Sequence, residues 1–421
     1  MNKLRLKDLG RWYSGGTPPR ERLEHWDGDV PWISAKDIDS TRLRSATTFI
    51  THEAALAHSR MVPAGALLMI VRGMALAHGL PVVETDMPVA FNQDLRALVC
   101  APGIAPRFVY YSLIGHRWRL NAHVDQAAHG TARVNDSIYG ERIPVPDRRE
   151  QRAVADFLDR ECRRIDELSD HQRMLRADCH EFWLSILHRQ VGEMRAPRRP
   201  LHVLVDSSRP VMYGIVLPGE PVDDGVLLVK GRNVERGELQ PADLVRVARG
   251  IEAGYARARL RGGDLLVTIR GSYGAVAEVP KATEGANITQ DTARVAPGPN
   301  MSGRYLLHAL RSPDAQAQIS SRATGAGVKG LNIRDLRRVE IPAPDLARQQ
   351  ESARVLDEHQ SSIDRLLREA DQLTLGLTEY RDALINEAVT GKLDVARLSE
   401  AQMEESLATF HEGGQSEILA S

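Results

Sequence analysis

Ile143-Pro144-Val145-Pro146-Asp147 returns 198 residues later as Ile341-Pro342-Ala343-Pro344-Asp345. Ile165-Asp166 returns as Ile363-Asp364 at the same offset. Upstream, Gly65-Ala66-Leu67-Leu68 and Arg72-Gly73 are matched by Gly263-Asp264-Leu265-Leu266 and Arg270-Gly271, again 198 apart, and Gln93-Asp94 by Gln290-Asp291 at 197. A period this long is too large for a solenoid and implies two copies of a whole module.

Each copy has two parts. The first mixes short apolar runs with Gly and Pro punctuation, and Ala66 to Val71, Ala97 to Cys100, Val226 to Val229 and Leu265 to Ile269 read as strands. Pro106 to Arg119 and Ser302 to Leu310 read as helices late in each copy. The second part is one long helix. Heptad position a falls at Leu158, Ile165, Gln172, Cys179 and Ile186, and position d at Glu161, Leu168, Leu175 and Phe182. In the second copy a falls at Leu356, Ile363, Ala370, Leu377 and Leu384, and d at His359, Leu366, Leu373 and Tyr380. Sustained heptads of this length predict helices that pair along a coiled-coil seam. Asp147 and Asp345 are placed to cap the helix starts, and Gly391 to end the second helix in a left-handed turn.

The expected fold is therefore α+β: two duplicated mixed α/β domains separated by two long antiparallel coiled-coil helices. The expected boundaries are 1–145 and 196–340 for the domains, 146–195 and 341–395 for the helices, and 396–421 for an acidic C-terminal tail.

Composition narrows the function. Of 421 residues 42% are hydrophobic, enough for real cores, yet no run approaches the ~18 apolar residues of a membrane span. The N-terminus lacks a secretory h-region, so a cytoplasmic protein is expected. Three scattered cysteines give neither a disulfide framework nor a zinc site. The net charge of −1 hides an uneven distribution: residues 1–145 carry 17 Lys+Arg against 14 Asp+Glu, and 201–340 carry 19 against 15, whereas 341–421 carry 7 against 16. Two mildly basic domains are masked by an acidic end.

Catalytic chemistry is not evident. No methyltransferase Asn/Asp-Pro-Pro-Tyr/Phe tetrad and no G-x-x-x-x-G-K-[ST] loop is present. Gly325-Ala326-Gly327-Val328-Lys329-Gly330 matches G-x-G-x-x-G, but it follows a helical stretch where a dinucleotide site needs a strand, so a backbone-contacting loop is the better reading. His171, His180 and His188 do not stack on one helix face, and Asp159, Glu161, Asp166, Asp364 and Glu369 read as exposed coiled-coil charges.

Several stretches carry a family likeness. Leu6-Lys7-Asp8-Leu9-Gly10, Ser14-Gly15-Gly16-Thr17-Pro18 and Val30-Pro31-Trp32-Ile33-Ser34-Ala35-Lys36-Asp37-Ile38 resemble the opening of a target recognition domain of Type I restriction-modification specificity subunits. Ile143-Pro144-Val145-Pro146 with Arg149-Glu150-Gln151-Arg152 resembles that family's helical region, and Ile341-Pro342-Ala343-Pro344 with Arg348-Gln349-Gln350 its second copy. The second copy departs from the pattern: it lacks a Gly-Gly-Thr-Pro opening and has Leu228-Val229-Lys230-Gly231-Arg232-Asn233-Val234 in place of the Trp-Ile-Ser-Ala-Lys-Asp-Ile stretch.

The resemblance implies a non-catalytic, sequence-specific reader of double-stranded DNA. Each target domain would read half of a bipartite site, the helices setting the spacing and docking two methyltransferase subunits, with restriction subunits joining that complex. It also implies that S-adenosylmethionine, ATP and Mg2+ belong to those partners and that no cofactor is bound by this chain. DNA contacts call for Lys or Arg at phosphates and Asn, Gln, Arg or Lys at base edges. The candidates are Gly15, Gly16, Thr17, Lys36, Arg72, Asn92 and Gln93 in the first copy, and Lys230, Arg232, Asn233, Arg270, Gln290 and Lys329 in the second. The coil and partner interface would use Leu158, Ile165, Leu168, Leu175 and Phe182, with Leu356, Ile363, Leu366, Leu373 and Tyr380. Two alternatives stay open on the residues alone: a coiled-coil scaffold with two ligand-binding domains and no DNA, and an enzyme such as a nuclease whose site is assembled from dispersed residues.

Overall fold

The computed structural model describes residues 2–38, 41–126, 131–237, 239–325 and 329–395. The chain divides into two units: unit 1 holds residues 1–171 and 372–421, and unit 2 holds 172–371. The proposed tail at 396–421 lies outside the described residues.

In unit 1 the apolar run around Leu67 becomes a central strand, Leu67–Ile70, buried on both faces. It lies in a five-stranded sheet ordered Gly10–Ser14, Leu95–Cys100, Leu67–Ile70, Val82–Thr85, Arg42–Leu43. A second sheet runs Phe49–Ile50, Val30–Ile33, Val89–Phe91, Met61–Val62, with Val30–Ile33 and Val89–Phe91 parallel. Asn2–Arg5 pairs with Arg142–Val145, so Ile143-Pro144-Val145 closes the domain beside its own N-terminus.

Unit 2 repeats this plan in shorter form. Met212–Tyr213, Thr292–Val295, Leu265–Thr268 and Val276–Glu278 form one sheet in that order. Val245–Val247, Val226–Val229 and Asn287–Ile288 form the other, again with one parallel pair. Arg198–Pro200 pairs with Glu340–Pro342, so Ile341-Pro342 has the place of Ile143-Pro144. The second copy's departures in sequence thus leave its topology intact.

The long helices are Arg148–Leu187, extended by a π turn at His188–Gly192, and Leu346–Thr390. Asp147 Oδ1 accepts the amides of Arg149 and Glu150, both at 2.9 Å, and Asp345 Oδ1 accepts that of Arg348 at 2.9 Å. These bonds satisfy first-turn donors that the helix cannot pair internally. Gly391, at φ 74°, ends the second helix in the left-handed conformation glycine tolerates.

Within each unit the two helices run antiparallel. In unit 1 Leu158 and Leu384 share one core, and Arg381 donates to the Cys162 carbonyl at 3.0 Å and pairs with Asp166. In unit 2 Arg176 pairs with Asp371, and the rings of Phe182 and His359 meet edge-on.

The a positions carry the seam: Leu158, Ile165, Cys179, Leu356, Ala370, Leu377 and Leu384 are buried. Ile363, Leu175, Leu373 and Tyr380 are half-buried. The d row is partly open, with Leu168 39%, Leu366 40% and Phe182 55% exposed. Two heptad helices paired only with each other cover a narrow stripe, so much of the d row is left facing solvent.

Two carboxylates expected at the coil surface are placed otherwise. Glu161 is buried and pairs with Arg164 at 3.1 Å. Asp159 is half-buried and accepts from Arg107 at 2.6 Å and Tyr111 at 2.7 Å. Asp159 faces the globular part of unit 1, which periodicity along the helix alone does not reveal, while Glu161 occupies seam position d.

Candidate nucleic-acid interface

Parallel strands Val30–Ile33 and Val89–Phe91 end side by side, and the Asn92 amide donates to the Ile33 carbonyl at 2.9 Å. The Gly15-Gly16 segment lies against the same ends: Gly16 N donates to Phe91 O at 2.9 Å, and the Trp32 indole donates to Gly16 O at 3.0 Å. A Cβ on Gly15 would run into the main chain of Phe91 and Asn92, and one on Gly16 into the His58 carbonyl. The close approach these two DNA-contact candidates permit is thus to the chain's own backbone.

Beside them, the Thr17 hydroxyl donates to Gln93 Oε1 at 2.6 Å. Val71 N donates to Asp94 O at 2.8 Å, which draws Arg72 to the turn that carries Gln93. Arg72 is exposed, and across the short ladder of Arg72–Gly73 with Ala132–Val134 it faces Arg133, also exposed. Lys36 is exposed on a one-turn helix, Ala35–Asp37, capped by Ser34.

Unit 2 builds the same turn from equivalent residues. Ile269 N donates to Asp291 O at 2.7 Å, and Arg270 Nη1 donates to Gln290 Oε1 at 3.1 Å. Arg270 forms a bridge with Gly330, beside exposed Lys329. Lys230 is half-buried and Arg232 exposed, at the start of the short helix Gly231–Glu235. The centre of the glycine-rich run, 326–328, lies outside the described residues.

Two candidates are spent on structure. Asn92 is 7% exposed; its Oδ1 accepts the Asp94 amide at 3.1 Å and its Nδ2 donates to the Asp94 carboxylate at 3.0 Å. Asn233 is 5% exposed; its Oδ1 accepts the Lys230 amide at 2.9 Å and its Nδ2 donates to the Asp243 carbonyl at 3.4 Å. These side chains fix turns and have little left to offer a base edge.

Sequence reasoning missed Arg133, and it missed Gly214 as the second copy's counterpart of the Gly15-Gly16 segment. The space a Gly214 Cβ would need is filled by Ile288 O, as that of Gly15 is by Phe91 O. The offset of 197 that relates Gln93 to Gln290 also relates Arg133 to Gly330 and would have placed both on one strand.

Each unit also carries a polar post of corresponding residues. Arg107, Tyr111 and Asp159 form it in unit 1, with Arg107 Nη1 3.7 Å from Glu84. Arg304, His308 and Asp357 form it in unit 2, with Arg304 Nη1 2.7 Å from Glu278 and His308 Nε2 2.6 Å from Asp357. Burial pushes the His308 pKa down, against the opposing pull of Asp357. Each post joins a short helix, Pro106–Gly115 or Gly303–Arg311, to the first turns of a long one. Among the described residues no group of three or more His, Cys, Asp or Glu could hold a metal ion, and no helix is long and apolar enough to cross a membrane.

Exposed arginines and lysines beside tethered glutamine amides suit a polyanion with hydrogen-bonding edges. Comparison with known proteins points the same way. Residues 235–374 match the model of the Type I restriction modification DNA specificity domain. The Type I restriction enzyme EcoR124I/EcoR124II specificity subunit of Escherichia coli is 33% identical over 159 residues, 37% of this chain and 39% of that protein. The EcoBI specificity subunit of Escherichia coli is 23% identical over 315 residues, 68% of this chain and 65% of that protein. The matches thus span about two fifths and two thirds of those relatives.

The fold is shared with a chain solved in a study of complex assembly and conformational transition of the type I R-M system, at TM-score 0.73 and 16% identity, covering 93% of this chain and 98% of that one. It is also shared with the HsdS subunit from Thermoanaerobacter tengcongensis, at TM-score 0.51 and 17% identity, covering 93% and 97%. Residues 235–374 thus match a Type I restriction modification DNA specificity domain, and the chain is similar in sequence to Type I restriction enzyme specificity subunits and shares the fold of an HsdS subunit.

Proposed function

We propose that this chain is the DNA-reading, non-catalytic subunit of a Type I restriction-modification enzyme, acting in the cytoplasm, and that each unit reads one half of a split duplex site. The observation that carries this reading is the recurrence of one exposed turn, Arg72 with Gln93 in unit 1 and Arg270 with Gln290 in unit 2. Shared residues suit phosphate contact and register, whereas half-sites of different sequence need residues that differ, such as Lys36 against Arg232.

The long helices each contribute residues to both units, and in this reading they fix the gap between half-sites, a spacing set by protein geometry. Their open d row, Leu168, Phe182 and Leu366, offers apolar surface for two methyltransferase subunits, which restriction subunits then join. S-adenosylmethionine, ATP and Mg2+ serve those partners.

The test is co-expression with Type I methyltransferase subunits, followed by mapping of methylated bases. One split sequence methylated only when this chain is present is the expected result. A complex that methylates without sequence preference refutes the reading.

A further inference from the structure

Residues directly opposite on an antiparallel pair project to the same face, and like charges there repel. Arg133 and Arg72 stand in that relation, both exposed, and among the described residues neither makes an ion pair. Asp125 stands opposite Arg133 on the other neighbouring strand, on the same face, where it accepts from Asn135 Nδ2 at 3.3 Å and makes no ion pair with Arg133. Asp94, on the adjoining turn, is taken up by Asn92. The segment 127–130 holds no acidic residue. The two arginines therefore share one exposed face with no ion pair to a described carboxylate, and on the adjoining turn the Gln93 amide has its oxygen engaged by Thr17 and its nitrogen able to donate outward.

Unit 2 lacks this arrangement. Gly330 occupies the place opposite Arg270 that Arg133 has opposite Arg72, and the Arg270 guanidinium turns to Gln290. We propose that Arg72 and Arg133 form a clamp for one phosphodiester, present in unit 1 and absent from unit 2. The clamp rests on the DNA-reading role above for the identity of its ligand. It makes the two readers unequal: unit 1 carries a sequence-independent hold that does not depend on which bases it reads. The repulsion between the arginines in the free chain is relieved when an anion sits between them.

The full chain and its Arg133→Gln variant provide the test in two arms. In the first, thermal unfolding is followed with and without inorganic pyrophosphate. The variant should melt no lower than the parent without the anion, and pyrophosphate should raise the melting temperature of the parent and not of the variant. In the second, affinity for duplexes of differing sequence is measured against salt. Arg133→Gln should weaken every duplex by the same factor and reduce the slope of log affinity against log salt by about 0.9, the share of one phosphate.

A parent indifferent to pyrophosphate, an unchanged salt slope, or a loss confined to one duplex sequence overturns the clamp. If neither protein binds duplex DNA while pyrophosphate still protects the parent alone, the anion site stands and the DNA-reading role falls.

Discussion

Gln151 and Gln349 stand 198 residues apart and make the same three hydrogen bonds. Gln151 accepts the Ala105 amide at 2.8 Å and donates to the carbonyls of Gly103 at 3.2 Å and Pro146 at 2.9 Å. Gln349 accepts the Ser302 amide at 2.8 Å and donates to Asn300 at 3.2 Å and Pro344 at 2.9 Å. Both amides are buried in the first turn of a long helix and lock it to the loop that begins a short helix. Leucine at either position would leave buried main-chain groups without partners. Each such orphan costs about 1–3 kcal/mol, so Gln151→Leu and Gln349→Leu should each lower the denaturation midpoint markedly. A loss within error for either one would show that the latch is not structural.

The buried asparagines give a second expectation. Asn233→Ala removes a cap at the start of Gly231–Glu235, which is worth roughly 0.5–2 kcal/mol of stability. The set of methylated sequences should be unchanged, because the side chain is already bonded within the protein. A new or relaxed half-site in the Asn233→Ala methylome would instead make this residue a base reader.

The seam gives a third. The heptad pattern treats Leu366 and Leu377 alike, yet Leu377 is buried and Leu366 is 40% exposed. Leu377→Asp should cost several kcal/mol in the chain alone, about what an unpaired buried charge incurs. Leu366→Asp should barely move the stability of the isolated chain and should weaken assembly with the methyltransferase. Urea unfolding and size-exclusion of the co-expressed complex separate the two, and equal destabilisation by both variants would contradict the open d row.

The duplication, the strand runs and both long helices were legible because each is written along the chain: a repeat at 198, short apolar runs punctuated by Gly and Pro, and an apolar period of 3.5. The candidate DNA-contact turn was legible only in part. Arg72 and Arg270 repeat at 198, Gln93 and Gln290 at 197, and all four could be found. Asn92 and Asn233 look like base readers in one dimension because asparagine serves a turn and a base edge with the same atoms; only the partner reveals the use. Arg133 escaped because its significance lies across a strand pair, in the residue it faces. Asp159 escaped because a helix packed against a globular domain has a second covered face, which the heptad pattern does not encode, and Glu161 escaped although its d position already placed it on the seam.

Unit 1 is not continuous in sequence. Its core joins residues from Leu6 to Leu158 with Leu384, Ile385, Ala388 and Val389 from the far end of the second helix. During synthesis this module must wait, with that apolar surface uncovered, until Leu384 to Val389 have left the ribosome, while the inserted segment 172–371 can finish earlier. Premature termination before Leu384 would therefore harm the N-terminal module most, although every residue of its sheets had already been made.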